Sequence, residues 1–151
     1  MMHVYKAEQF LPISIEKAWA FFSSPKNLSV ITPPSMEFKI LSDLEGEDIY
    51  EGMLIDYRVK PLLGIPVRWQ TEISDVKENY SFTDQQLTGP YKVWKHTHTF
   101  IAQKDGILMT DEIHYKLPMG WLGTIVEKLI VRNKIKSIFE YRKNILNKIF
   151  T

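Results

Sequence analysis

The residues best suited to chemistry lie in the run Trp94-Lys95-His96-Thr97-His98-Thr99-Phe100. Side chains on a β-strand alternate between faces, so Trp94, His96, His98 and Phe100 share one face. Two imidazoles between two large aromatics can wall a binding site if that face points inward, and turn parity decides the direction. Asp105-Gly106 predicts a two-residue type I′ turn. It pairs Lys104 with Ile107, Phe100 with Asp111, His98 with Ile113 and His96 with Tyr115. Cross-strand partners share a face. The histidines therefore join Ile107, Met109, Ile113 and Tyr115, while Thr110, Glu112, His114 and Lys116 face water. A two-residue turn at Glu78-Asn79 likewise pairs Ile73 with Asp84 and Thr71 with Gln86, which brings both polar residues inside with Phe82.

The expected inner wall thus mixes apolar groups with Asp84, Gln86, His96, His98 and Asp111. Left unpaired in a dry core, each would cost roughly 1–3 kcal/mol, and more if charged. Either they satisfy one another or they border a hydrated cavity, the usual form of a small-molecule site. His96 and His98 with Asp84 or Asp111 offer donors suited to zinc or iron. No third ligand stands at a diagnostic spacing, however, so the expectation is hydrogen bonding that orients a ligand, with no metal and no cofactor. The alternative is acid–base catalysis of cyclase or hydratase type by the same groups. Nucleophilic catalysis is disfavoured by the lack of cysteine and of a serine in a nucleophile elbow.

Several elements must position these residues. His3 to Leu11 reads as a strand. Ser14 and the Ser24-Pro25 pair open two short helices. From Met36 to Leu117 the apolar residues alternate, with a polar turn around Glu45-Gly46-Glu47 and a loop from Pro61 to Pro66. Trp121 to Phe150 has a helical period and would span about 45 Å. The expected class is α+β, a curved antiparallel sheet of about six or seven strands wrapped around a long C-terminal helix. This order of elements carries three local segments: Phe82 to Tyr91 (FTDQQLTGPY), Trp94 to Phe100 (WKHTHTF) and Asp111 to Gly120 (DEIHYKLPMG). Together they resemble the START-like, birch-pollen-allergen-like (SRPBCC) helix-grip superfamily, in its bacterial ligand-binding, polyketide-cyclase-like branch. The resemblance covers essentially the whole chain. It implies one domain, 1–151, with a hydrophobic cavity between sheet and C-terminal helix for a lipid, sterol-like or polyketide-like molecule. It carries over no catalytic residue.

On this reading Met53, Ile55, Tyr57, Trp69, Phe82, Trp94 and Phe100 supply apolar burial, worth about 25 cal/mol per Å². Asp84, Gln86, His96, His98, Asp111 and Tyr115 orient the ligand. The segments 61–66 and 118–123 either form the pocket mouth or pack as ordinary turns. Lys128, Arg132, Lys134, Lys136, Arg142, Lys143 and Lys148, set against Glu127 and Glu140, are assigned to a solvated helix face. Arg132 or Asn133, if turned inward, would meet a polar ligand head. Regulation of a partner through the basic helix is a third reading. Net charge of +1 gives no general attraction to nucleic acid. The absence of cysteine excludes disulfides and thiolate chemistry. With no signal peptide and no uncharged span, a cytoplasmic monomer or homodimer is expected.

Overall fold

The alternating segments pair into one antiparallel sheet. The computed structural model describes residues 1–44 and 46–151; Glu45, in the expected polar turn, lies outside the described residues. The strands are β1 (His3–Leu11), β2 (Lys39–Ile40), β3 (Leu54–Val59), β4 (Val67–Lys77), β5 (Ser81–Thr88), β6 (Val93–Gln103) and β7 (Gly106–Lys116). Their order across the sheet is β1-β7-β6-β5-β4-β3-β2. Helix α1 (Ile15–Phe22) starts at Ser14, whose hydroxyl accepts the Lys17 N–H at 3.1 Å, the expected N-cap. The second short helix is a single 3-10 turn, Pro25–Leu28. Another 3-10 turn, Pro34–Met36, stands where a strand was expected to begin. Glu37 follows it at φ 46°. A left-handed residue interrupts extended backbone, so only Lys39–Ile40 is left to pair with β3.

The β6–β7 hairpin differs from expectation in register but not in parity. Gln103 pairs with Gly106, His98 with Asp111, His96 with Ile113 and Trp94 with Tyr115, a slip of two residues. The loop is Lys104-Asp105, and neither residue has positive φ. Gly106 is not the left-handed turn residue. A Cβ there would stand 2.2 Å from the Leu11 carbonyl oxygen, so this glycine admits the end of β1 against the hairpin. In β4–β5 the expected pairs Ile73–Asp84 and Thr71–Gln86 form, although the loop is one residue longer than expected, with Lys77 opposite Ser81. A bulge at Asp75 (φ 52°) compensates. The Glu51 carboxylate holds that bulge by accepting the N–H groups of Asp75 (3.1 Å) and Val76 (3.0 Å).

The C-terminal helix comprises α2 (Gly120–Val126), a π turn (Glu127–Val131) and α3 (Arg132–Ile149). Gly123, Glu127, Val131 and Ile135 are all buried, four residues apart. At about 100° per residue, three such steps in a plain α-helix would carry the buried position about 120° around the axis. The π turn takes in an extra residue and keeps these four on the sheet side. Val131 and Ile135 pack with Ile113, Tyr115 and Trp94. Leu146 and Phe150 pack with Leu11, Phe22 and Phe100. Among the described residues no helix is long and apolar enough to cross a membrane.

Candidate functional site

Adjacent strands deliver the polar cluster. Asp84 on β5 is directly opposite His96 on β6, and His98 is opposite Asp111 on β7. All four side chains lie on the face covered by α3. His96 donates Nε2–H to Asp111 Oδ1 at 2.8 Å, and His98 donates Nε2–H to Asp84 Oδ2 at 2.6 Å. The other ring nitrogens complete a square: His96 Nδ1 is 3.7 Å from Asp84 Oδ2, and His98 Nδ1 is 3.2 Å from Asp111 Oδ1. The second of these is too poorly aligned to be a hydrogen bond and is an electrostatic contact. The two imidazoles stack at 3.7 Å, and Phe82 stacks on His98 at 4.3 Å.

Arg142, assigned above to the solvated helix face, is a correction. It is buried, and its Nη1 lies 3.5 Å from Asp111 Oδ1. Its guanidinium lies over Phe22 and Phe139, 5.4 and 5.6 Å from the ring centres. Spacing could have revealed it: Arg142 is three residues after Phe139 and four before Leu146, on the apolar stripe. Glu127 is likewise buried rather than solvated. It accepts Tyr115 O–H at 2.7 Å and Arg132 Nε–H at 2.8 Å, with His3 Nδ1 at 3.6 Å. Tyr115 therefore serves a second cluster at the π turn.

In the first cluster two carboxylates meet the Arg142 guanidinium and two imidazoles. Burial alone would push the Asp111 carboxyl up, but the Arg142 charge and the contacts from both histidines hold it well below the usual carboxylate range. Burial of Asp84 is likewise outweighed, chiefly by His96 and His98. Burial lowers the His96 pKa, and the neighbouring His98 charge adds to this. His98, opposed by the same burial, is raised by Asp111 and Asp84. Of the two imidazoles, His98 is therefore the one held more readily in its protonated form. Burial also pushes the Tyr57 hydroxyl well up, reinforced by the Asp84 charge. Burial and the Glu127 contact raise Tyr115 to about 12.

A cavity of ≈ 190 Å³ opens between the sheet and α3. Of the expected site residues, Ile55, Tyr57, Trp69, Phe82, Asp84, Trp94, His96 and His98 line it. Asp111 stands behind the histidines, and Tyr115, Met53 and Phe100 are buried in the surrounding core. Gln86 instead braces the β5–β6 turn: it donates to the Tyr91 carbonyl at 2.7 Å and accepts the Tyr91 N–H at 3.1 Å. Tyr91, Phe139, Lys134 and Arg142 join the lining without having been expected there. Asn133 and Arg132 are exposed on the helix. Of the two loops, Pro61 reaches the cavity, whereas Met119 and Trp121 are exposed.

Solved structures share this fold. Norcoclaurine synthase of Thalictrum flavum, as a point mutant with a transition-state analogue, superposes with a TM-score of 0.68 at 17% identity, covering 100% of this chain and 98% of that one. The major latex-like protein 151 of Panax ginseng gives 0.71 at 13% identity, covering 99% and 97%. A Chromobacterium violaceum protein gives 0.74 at 11% identity, covering 97% and 96%. The chain has the helix-grip fold. At these identities the likeness shows the fold alone. No protein-family model and no curated protein matches the chain. Another helix-grip structure, norcoclaurine synthase with dopamine and hydroxybenzaldehyde, gives 0.66 at 18% identity, covering 98% of this chain and 88% of that one.

Proposed function

We propose that the protein binds a compact apolar or amphipathic molecule in the cavity between sheet and helix, oriented by Asp84, His96 and His98. One observation carries this reading: an aromatic-walled cavity of ≈ 190 Å³ with a hydrogen-bonded His–Asp cluster as one wall. The volume lies below the roughly 300–1,000 Å³ of drug-sized pockets. It suits one or two rings better than a whole sterol. Trp69, which lines the cavity, buries its indole N–H without a protein acceptor, a group that a ligand oxygen would satisfy at a gain of about 1–3 kcal/mol. The helix-grip synthase solved with dopamine and hydroxybenzaldehyde holds single-ring compounds, which supports the size argument. Titration with 4-hydroxybenzaldehyde, followed by quenching of the tryptophans, should saturate. Ile55→Phe, which fills the cavity, should weaken binding at least tenfold. Equal binding by that variant would place the ligand elsewhere.

A second reading is acid–base catalysis of cyclase or hydratase type. The observation favouring it is a pair of contacting imidazoles with pKa values shifted in opposite directions, a pattern that separates an acid from a base. It requires turnover that His96→Ala or His98→Ala abolishes while binding survives. Turnover unchanged in both variants would remove the histidines from the mechanism.

A further inference from the structure

We propose that Asp84, His96 and His98 form a mononuclear site for a divalent first-row transition metal of the Zn(II) or Fe(II) class, with its open positions facing the cavity. One ligand atom from each of the three residues lies within 4.8 Å of the others. The measured separations are 2.6 Å (His98 Nε2 to Asp84 Oδ2) and 3.7 Å (His96 Nδ1 to Asp84 Oδ2). Ligands held at about 2.0–2.2 Å from one zinc lie roughly 3–4 Å apart, so small rotations of these side chains suffice. Two imidazoles and one carboxylate are the donor set of zinc and non-haem iron sites, not of calcium or magnesium.

Asp111 makes the cluster more than a proximity. It accepts Nε2–H of His96 at 2.8 Å, which leaves the Nδ1 lone pair of a neutral His96 facing the Asp84 carboxylate. Two acceptors face each other there, and a cation between them would serve both. His98 also turns one nitrogen, Nδ1, toward Asp111 and the other toward Asp84. His96 thus has the arrangement by which an outer carboxylate orients a ligating histidine, and His98 has the same carboxylate in electrostatic contact. Arg142, itself part of the cavity lining, compensates the Asp111 charge, and the cavity wall contains Asp84, His96 and His98 but not Asp111. Ligating imidazoles and carboxylates must give up their protons, so metal affinity should fall as pH is lowered.

The test uses chelator-treated full-length protein titrated with ZnCl2 by calorimetry, and with CoCl2 by absorption and by NMR of ¹⁵N-labelled histidine rings. One metal per chain is expected. His96→Ala and His98→Ala should each weaken binding at least about 100-fold, and Asp111→Asn by about 10–100-fold. His114→Ala, on the outer face beside Glu112, should leave binding unchanged. Cobalt should broaden the ring signals of His96 and His98 in the unaltered protein, which decides the matter even if a variant fails to fold. The proposal is overturned by no binding, by full binding in both histidine variants, or by broadening confined to His3 or His114. Because organic-ligand binding by metal-free protein is measured separately, failure of the metal site and failure of the cavity reading are distinguishable.

Discussion

Arg142→Ala is expected to remove about 3–5 kcal/mol of stability, the usual cost of stripping one partner from a buried ion pair. The Arg142 side chain is 7% exposed and that of Asp111 2%, so solvent screening does little to soften the loss. The substitution also removes the guanidinium packed over Phe22 and Phe139. The pH dependence distinguishes this from lost packing alone. Asp111 has its carboxyl pKa depressed in the folded state. Its contribution is therefore fully present above the unfolded value of about 3.9 and is lost as pH falls through the folded value. Without Arg142 that depression shrinks, so the acid limb should still begin near the unfolded value but lose less stability in total and end at a higher pH. His98 works in the opposite sense: its folded pKa is raised, so its contribution is present below about 6.5 and fades as pH rises through the folded value. Urea unfolding from pH 3 to 8 measures both limbs. An acid limb that coincides in the two proteins would mean that Arg142 does not hold Asp111 ionised. A double substitution with Asp111→Ala should recover part of the loss, since it removes the stranded charge.

Phe100→Ala should cost a similar 3–5 kcal/mol, by a different route. Phe100 is 1% exposed and joins the sheet to the helix that follows β1. Its ring lies 5.3 Å from Phe22, 6.0 Å from Trp19 (edge-on) and 6.3 Å from Phe82. Truncation leaves a void among three aromatic rings that cannot all move in to fill it. For a domain of this length the melting temperature should fall by roughly 6–20 °C. The acid limb of stability should keep its shape, because no charged group loses a partner. A calorimetric shift of only a degree or two would show that the aromatic cluster closes over the gap.

What was legible in the sequence was parity. The β6–β7 register slips by two residues from the expected pairing, yet a slip of two preserves every face, so the histidines point inward as predicted. In β4–β5 a longer turn and a bulge cancel, and the Ile73–Asp84 pairing survives. The face of a strand residue follows from odd or even counting, which tolerates paired errors. Distances and partners do not. Gly106 was read as a turn former, but it is required by the close pass of Leu11, a tertiary contact that no local rule encodes. Arg142 and Glu127 were assigned to water because they are charged, although their spacing put them on the apolar stripe. A charged residue is buried only when its partners are brought to it, and those partners (Asp111 for one, Tyr115 for the other) lie on β7, a different element that only the fold sets opposite the helix. The cavity was legible as a mixture of side chains too polar for a dry core. Its size was not, because volume depends on how closely α3 approaches the sheet.

The π turn at Glu127–Val131 also determines which changes in length the C-terminal helix can absorb. From Gly123 to Leu146 the buried positions span 23 steps, which at about 100° per residue would leave them about 140° out of phase in plain α geometry; one step fewer leaves about 40°. The turn is therefore a stored extra residue. Deleting exposed Leu129 would close the turn into ordinary helix and leave Arg142 aimed at Asp111. The same deletion in α3 ahead of Arg142 would rotate the guanidinium about 100° away. Gaps in the helix are thus geometrically cheap at one place and costly everywhere else.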